Sequence, residues 1–285
     1  MSQPWLTVAL LVVGPALVAV VALVRGRLGL ALALAGLALP AFAEPAVVRA
    51  LAAICAALWL MRAIDLVRDA RLASAPAPRR LWHVFSPVDT RLLRPAPPRW
   101  DLELLGRVAV WSAVAAGGAW LALRGGAWRW AGGVALTYGF VEALWALLGA
   151  GYARAGLHTP RLHELPLASS SIQELWGLRW SQVVRQWMHM NVVRVWARKH
   201  SLRTGLLLAF AASGLGHAYL VTVAIGPSLA APMFAFFVVQ GFAVLLEERL
   251  HVRHWPRPLR HVWVLAVMLG ASPLFVEATL ECLGL

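Results

Sequence analysis

The chain has 285 residues, of which 60% are hydrophobic, and its mean hydropathy is +0.69. Since soluble domains are usually about 45–50% apolar, this composition excludes an ordinary water-soluble protein and predicts an integral membrane protein. The net charge of +13 comes almost wholly from arginine, with Lys199 as the one lysine. These arginines lie between apolar runs, as the positive-inside rule expects, so the charge indicates membrane topology and not nucleic-acid binding.

Apolar runs along the chain predict eight membrane-spanning helices, since about 20 apolar residues cross the hydrocarbon core. The predicted spans are Thr7–Val24, Leu28–Phe42, Val47–Asp69, Leu102–Leu123, Trp130–Tyr152, Thr204–Ile225, Met233–Leu246 and Val262–Leu283. Residues 1–5 carry no basic residue, so we expect the first span to be retained and not cleaved as a signal peptide. Because no long polar region separates the spans, residues 1–285 are predicted to form a single integral membrane domain, an all-α polytopic transmembrane helical bundle.

The polar segments between the spans predict further structure and a topology. Arg25 and Arg27 lie in the first loop, and residues 70–100 hold six prolines and six arginines, which predicts a long irregular loop. The segment Ile172–Lys199 is rich in tryptophan and arginine and predicts one helix at the membrane interface. The loops after spans one, three, five and seven carry most basic residues, which places them in the cytosol and both termini outside. The arginine- and alanine-rich composition indicates a bacterial inner-membrane protein.

His217 is an ionisable residue deep inside the sixth predicted span. It follows Arg203 by fourteen residues, which corresponds to about 20 Å of helix. Ser213 lies four residues earlier and therefore on the same helix face. Ionisable residues within membrane spans usually face a bundle interior or a wet cavity and are candidates for function. The alternative is a neutral histidine that is hydrogen-bonded between helices.

The tryptophan- and arginine-rich segment allows two interpretations. Trp176, Trp180, Arg179 and Arg185 are typical of an amphipathic helix that rests at the lipid headgroups. The same arginines would also suit a phosphorylated cosubstrate, which they would bind through charge-assisted hydrogen bonds. Spacing alone does not separate these alternatives.

Three glutamates in or near the spans also need partners. Glu142 lies inside the fifth predicted span, where it either lines the same cavity as His217 or pairs with an arginine at a helix end. Glu247 and Glu248 end the seventh span, and we expect them to pair with Arg249 or Arg253. Cys55 and Cys282 are flanked by apolar residues, which argues against a disulfide framework or a zinc site.

The central stretch resembles the membrane-bound O-acyltransferase family, specifically its wax synthase branch. That branch carries a Ser-x-x-x-Phe-Trp-Gly-Arg-Arg-Trp-(His or Asn) signature and then a Ser-Gly-Leu-x-His span. Residues 171–181 align with the first motif, and residues 213–217 match the second. Phe236, Phe237, Gly241 and Glu247 resemble the pattern that follows in the family. The resemblance covers residues 165–250 and departs from the first motif at three positions, which are Leu175, Leu178 and Ser181.

The resemblance implies a helical membrane enzyme that moves an acyl group from a thioester, usually acyl-CoA, to a hydroxyl group. It implies acyl-CoA as cosubstrate, a lipophilic alcohol as acceptor, and no metal or further cofactor. His217 matches the catalytic histidine, and Ser181 occupies the position of its usual polar partner. Either Ser181 makes that contact, or Gln182 or Asn191 does so, or activity is reduced or lost.

In this interpretation His217 is the general base, because an alcohol attacks a thioester poorly until its proton is removed. Arg179, Arg185, Trp176 and Trp180 are the candidates for binding the cosubstrate. The rival interpretation is a non-catalytic lipid-binding or transport protein, or an inactive relative, that uses the same cavity.

Overall fold

The computed structural model describes residues 4–24 and 26–285. The described part is all-α except for one pair of short β-strands with two residues each. The helices are α1 (Pro4–Leu23), α2 (Arg27–Gly36), α3 (Ala46–Arg68), α4 (Ala70–Ala73), α5 (Ala77–Phe85), α6 (Leu102–Ala122), α7 (Gly126–Arg154), α8 (Ile172–Glu174), α9 (Gln182–Met188), α10 (Arg194–Ala197), α11 (Leu202–Ile225), α12 (Ala230–Arg249), α13 (Arg257–Ala271) and α14 (Pro273–Leu283). The strand β1 (Arg94–Pro95) pairs with β2 (Leu157–His158) in antiparallel orientation. The predicted all-α class is confirmed. Arg25 of the first predicted loop lies outside the described residues.

Among the described helices, five are long and apolar enough to cross a membrane, and these are α3, α6, α7, α11 and the segment Pro227–Arg249. The pair α13 and α14, bent by 53°, becomes a sixth if it counts as one span. These elements coincide with predicted spans three to eight and support an integral membrane protein. The first two predicted spans correspond to shorter apolar helices, so the count of eight is not confirmed.

The prediction of an irregular loop over residues 70–100 is wrong for its first half, which contains α4 and α5. Asp69 accepts hydrogen bonds from the backbone N–H groups of Arg71 and Leu72, which caps the start of α4. Pro76 precedes α5 and Pro78 lies in its first turn, where the missing N–H of proline costs nothing. Prolines in this segment therefore start a helix and do not exclude one.

The chain divides into two compact units. Unit 1 comprises Met1–Arg91, Ala218–Ala230 and Cys282–Gly284, and unit 2 comprises Leu92–His217, Ala231–Glu281 and Leu285. An apolar core joins α1, α3, α4 and α5 within unit 1, and its buried members are Val18, Ala22, Leu66, Leu72 and Val84. The single membrane domain over residues 1–285 stays a prediction.

Unit 1 contains a buried ionic cluster that links the end of α3 to the segment after α5. The side chain of Arg91 lies 2.6 Å from Asp89 and 3.1 Å from Asp65, while Arg62 pairs with Asp65 at 3.3 Å. Burial disfavours the charged form of Asp89, but hydrogen bonds from Arg91 and the charges of both arginines outweigh it and hold its pKa below the usual range. The cluster therefore fixes residues 87–91 against α3.

The C-terminal end of α11 belongs to unit 1, where Arg49 of α3 caps it. Nε and Nη2 of Arg49 donate to the carbonyl oxygen of Ala224 at 2.9 and 2.7 Å, and Nη1 donates to that of Ala43 at 3.3 Å. The Tyr219 hydroxyl donates to the carbonyl oxygen of Leu37 at 2.8 Å. A cation at this position satisfies the free carbonyl groups and complements the helix dipole.

Unit 2 begins with α6 and α7, which pack as a close antiparallel pair. A Cβ atom at Gly118 or Gly132 would overlap the backbone of the facing helix, so only glycine permits this approach. Residues 171–181, which align with the first family motif, are called the signature segment. A second core joins the start of this segment to α12 and α13, and its buried members are Ile172, Leu175, Ala243, Val244 and Val264. This core positions the signature residues beside α11 and α12.

Candidate active site around His217

The signature segment starts with a network of hydrogen bonds around Glu174. The Ser171 hydroxyl accepts from the backbone N–H of Glu174 at 2.8 Å, and the Glu174 carboxylate accepts from the backbone N–H and the hydroxyl of Ser170, each at 2.8 Å. Nε of Arg179 donates to the same carboxylate at 2.7 Å. Burial opposes ionisation of Glu174, but these hydrogen bonds outweigh it and hold its pKa below the usual value.

Glu247 of α12 binds the start of this segment from across the unit. Its carboxylate accepts from the backbone N–H groups of Ile172 at 2.5 Å and Gln173 at 3.0 Å, and from the indole N–H of Trp263 at 2.7 Å. The expected pairing of Glu247 with Arg249 or Arg253 is therefore wrong. Glu248 instead pairs with Arg203 at 2.8 Å, which was not expected either.

The prediction of one continuous helix over Ile172–Lys199 is wrong, because the backbone breaks after Arg179. Residues Leu175–Arg179 and His189–Val193 adopt π-helical geometry, which often marks functional sites. Trp180 is extended, and Ser181 has φ 32° and ψ 73°, in the left-handed region that a serine rarely adopts. The buried Ser181 hydroxyl has no hydrogen-bond partner within the described ranges.

Trp176 lies at the centre of an aromatic cluster and binds a buried glutamine. Its ring centroid is 6.0 Å from those of Phe210 and Phe237, and its indole N–H donates to Oε1 of Gln240 at 3.2 Å. Gln240 is fully buried, and its Nε2 has no hydrogen-bond partner among the described residues. Leaving such a donor unpaired costs about 1–3 kcal/mol.

His217 joins this cluster through Phe237, whose ring centroid is 4.2 Å from the imidazole centroid. Nδ1 of His217 lies 2.9 Å from the carbonyl oxygen of Ser213. A carbonyl oxygen can only accept, so Nδ1 carries the proton and Nε2 of the neutral ring carries a free lone pair. The ring is half-buried, and Phe275 of α14 lies 6.4 Å away on another side. His217 therefore contacts Ser213, which lies on the same helix face, through the backbone carbonyl group of Ser213 and not through its hydroxyl group.

The arginines selected from sequence are already bound within the chain. Arg179 binds Glu174 and the carbonyl oxygen of Glu164, and Nε of Arg185 donates to Oε1 of Gln182 at 2.9 Å. No hydrogen bond joins Ser181, Arg179 or Arg185 to His217 in the described part of the chain. By contrast, three basic side chains just before α11 are exposed and form no ion pair with a described residue, and these are Arg194, Arg198 and Lys199.

A second buried polar cluster surrounds Glu142 in α7. Its carboxylate accepts from Arg107 at 2.9 Å and from the Tyr138 hydroxyl at 3.0 Å, so Glu142 pairs with an arginine near a helix end, as one alternative predicted. Nδ1 of His163 lies 3.4 Å from the carboxylate, and the His163 ring contacts Trp180 at 4.7 Å between centroids. Sequence reasoning missed His163, because its loop position gave no sign of complete burial.

An open, mostly apolar groove of about 750 Å³ runs along α12 and α13. Arg203, Glu248 and Arg249 lie at one end of the groove, and Gly270 and Leu274 line it towards the other. Leu274 is followed by Phe275, whose ring centroid lies 6.4 Å from that of His217, so the groove and the histidine both border α14.

The comparison with protein families finds a match over part of the chain that includes most of the signature residues. The model of the membrane bound O-acyl transferase family matches residues 159–239, which include Trp176, Ser181 and His217. No curated protein matches the chain. The match does not distinguish the wax synthase branch from other branches of the family. Together with the long apolar helices, it supports the membrane-bound O-acyltransferase family for this integral membrane protein.

Proposed function

We propose that the chain transfers a fatty acyl group from acyl-CoA to the hydroxyl group of a lipophilic alcohol, as wax ester synthases do. The observation that carries this proposal is the hydrogen bond from Nδ1 of His217 to Ser213, which leaves Nε2 as a free base within an aromatic, half-buried site. The family match supports the coarser statement that the protein is a membrane O-acyltransferase.

The reaction needs one proton acceptor and no covalent enzyme intermediate. Nε2 of His217 takes the alcohol proton while the alcohol oxygen attacks the thioester carbon, and the C=O electron pair moves to the oxygen. When the tetrahedral intermediate collapses, the C–S bond breaks and the thiolate takes the proton from the imidazolium ring. The products are an ester and free CoA, and His217 returns to its neutral state.

The phosphates of CoA would bind at the end of unit 2 where α11 begins. Arg194, Arg198 and Lys199 are exposed there without acidic partners in the described ranges, whereas Arg179 and Arg185 already bind Glu174 and Gln182. Donor binding at this end requires it to face the cytosol, in agreement with the positive-inside topology in a bacterial inner membrane. The role of Ser181 as the polar partner of His217 stays a prediction, and no hydrogen bond between the two described residues supports it.

The acyl chain of the donor would lie in the groove between α12 and α13. The groove is mostly apolar, has arginine side chains at one end and is lined by Leu274, the residue before Phe275, which lies beside His217. An extended fatty acyl chain matches this arrangement, because its thioester would reach the histidine while its methylene groups remain in the groove.

Filling the groove should change the preferred chain length. A Cβ atom at Gly270 meets no other atom within 4 Å, so Gly270→Leu places its side chain in the groove without a clash at its base. We expect transfer from palmitoyl-CoA to fall by about tenfold relative to octanoyl-CoA, since a few methylene groups in an apolar pocket change specificity on this scale. Gly117→Leu on α6, where a Cβ atom is equally free, is the matched control. If Gly270→Leu leaves the ratio of the transfer rates from palmitoyl-CoA and octanoyl-CoA unchanged, the acyl chain does not bind in this groove.

The proposed function is tested by incubating purified protein with labelled palmitoyl-CoA and a pool of alcohols. Release of free CoA together with a new labelled ester would establish the transferase and identify its acceptor class. Retention of intact palmitoyl-CoA by the protein without turnover would favour the non-catalytic lipid-binding interpretation.

A further inference from the structure

We infer that Gln240 is a second catalytic residue, whose free side-chain N–H group donates to the acyl carbonyl oxygen during transfer. The inference rests on the proposed function. Gln240 is fully buried, and its Nε2 is a hydrogen-bond donor with no partner among residues 4–24 and 26–285. A buried donor that no protein group satisfies is available to a ligand.

Trp176 fixes the orientation of this amide. The indole nitrogen of tryptophan can only donate, so the glutamine atom that it contacts at 3.2 Å must be the oxygen. The NH₂ group of Gln240 consequently points away from the indole nitrogen. The bond to Trp176 thus holds the donor in one direction before a substrate arrives.

The register of α11 against α12 shows how Gln240 relates to His217. The two helices run antiparallel, because Arg203 near the start of α11 pairs with Glu248 near the end of α12. Further along, Gly241 of α12 packs against Phe210 of α11. In both pairs the residue numbers add to the same value, so this register persists along the helices. At this register His217 lies level with Phe234 of α12. Gln240 is six residues further along α12, which corresponds to about 9 Å along the helix axis.

The two side chains extend towards each other along this interval. Side chains on an α-helix lean towards its N-terminus, and the two N-termini lie at opposite ends of the antiparallel pair. The contact of His217 with Ser213 shows this lean directly. The ring of Phe237 connects the two sites, since its centroid is 4.2 Å from that of His217 and 6.0 Å from that of Trp176, which binds Gln240.

This arrangement divides the chemistry between the two residues. The alcohol proton moves to Nε2 of His217, the new C–O bond forms, and negative charge develops on the former carbonyl oxygen. The N–H group of the buried Gln240 side chain stabilises that charge, and the interaction strengthens as the charge grows. Collapse of the intermediate expels the thiolate, which takes the proton from His217, and the hydrogen bond to Gln240 weakens again.

The test compares two variants that remove the same hydrogen bond from opposite sides. Gln240→Met has no donor, whereas Trp176→Phe removes the indole N–H but leaves the glutamine amide in place. We expect Gln240→Met to lower kcat for palmitoyl-CoA by about 10²–10³-fold, the usual effect of losing an oxyanion donor, with KM nearly unchanged. Trp176→Phe should cost much less kcat, although the two variants should melt at similar temperatures in detergent.

Equal losses of kcat in the two variants would show that the glutamine only holds Trp176, and would overturn the inference. If Gln240→Met does not fold, Gln240→Asn keeps an amide but retracts the donor by one methylene group, and the same kcat loss is expected. Gln173→Met makes the same change at a glutamine whose side chain is exposed, and serves as the control. Absence of turnover in the unmodified protein would overturn the proposed function together with this inference. Normal turnover with active Gln240 variants would overturn this inference alone.

Discussion

Replacing His217 with glutamine should reduce acyl transfer by about 10²–10⁴-fold, which is the usual contribution of a general base. Glutamine has a similar polarity and can still donate to the carbonyl oxygen of Ser213, but it has no nitrogen lone pair that can take the alcohol proton. The measurement is the initial rate of CoA release from palmitoyl-CoA in the presence of a saturating alcohol, together with the yield of ester.

His189→Gln is the matched control for this substitution. His189 lies in the second π-helical segment, is exposed and has no side-chain hydrogen bond within the described ranges. Its variant should retain the rate of the unmodified protein. A His217→Gln variant that folds and turns over palmitoyl-CoA at a rate within about tenfold of the unmodified protein would exclude the imidazole as base.

Replacing Glu247 with alanine should destabilise unit 2 by about 3 kcal/mol, because one buried and two partly buried donors lose their acceptor and each unpaired buried donor costs about 1–3 kcal/mol. These donors are the backbone N–H groups of Ile172 and Gln173 and the indole N–H of Trp263. Since two of them start the signature segment, acyl transfer should fall as well. Unfolding in detergent, followed by tryptophan fluorescence, measures the change.

Glu248→Ala provides the control, because it removes the neighbouring carboxylate on the same helix. Glu248 is exposed and its ion pair with Arg203 lies in solvent, where such pairs contribute little. Its variant should melt close to the unmodified protein. Similar melting temperatures for the Glu247→Ala and Glu248→Ala variants would mean that the signature segment does not depend on the buried carboxylate.

The long apolar helices and the position of His217 within one of them were predictable from sequence, because both depend on local composition. A run of about 20 apolar residues bounded by charge has few alternatives to a membrane helix. The predicted span Leu102–Leu123 therefore ends within one residue of α6. The bend between α13 and α14 was not predictable in this way, because both halves are apolar and Pro273 alone does not decide between a kinked and a straight helix.

The partners of the buried polar groups could not be predicted, because they lie far away along the chain. Glu247 was expected to pair with an arginine a few residues away. Its carboxylate oxygens instead accept hydrogen bonds from backbone N–H groups 75 and 74 residues earlier in the chain. The left-handed conformation of Ser181 gives no signal either, since serine has no preference for it. Gln240 could not be distinguished from a lipid-facing or helix-bridging glutamine until the contact with Trp176 was known.

The cap that Arg49 places on α11 also sets an order of events during synthesis. Arg49 precedes Ala224 by 175 residues, and at about 5–20 residues per second the ribosome needs roughly 9–35 s to cover that interval. Throughout this time the guanidinium group must remain without its two hydrogen bonds to the Ala224 carbonyl. The contact between the N-terminal helices and the end of α11 therefore forms only after the helix that carries His217 has been synthesised.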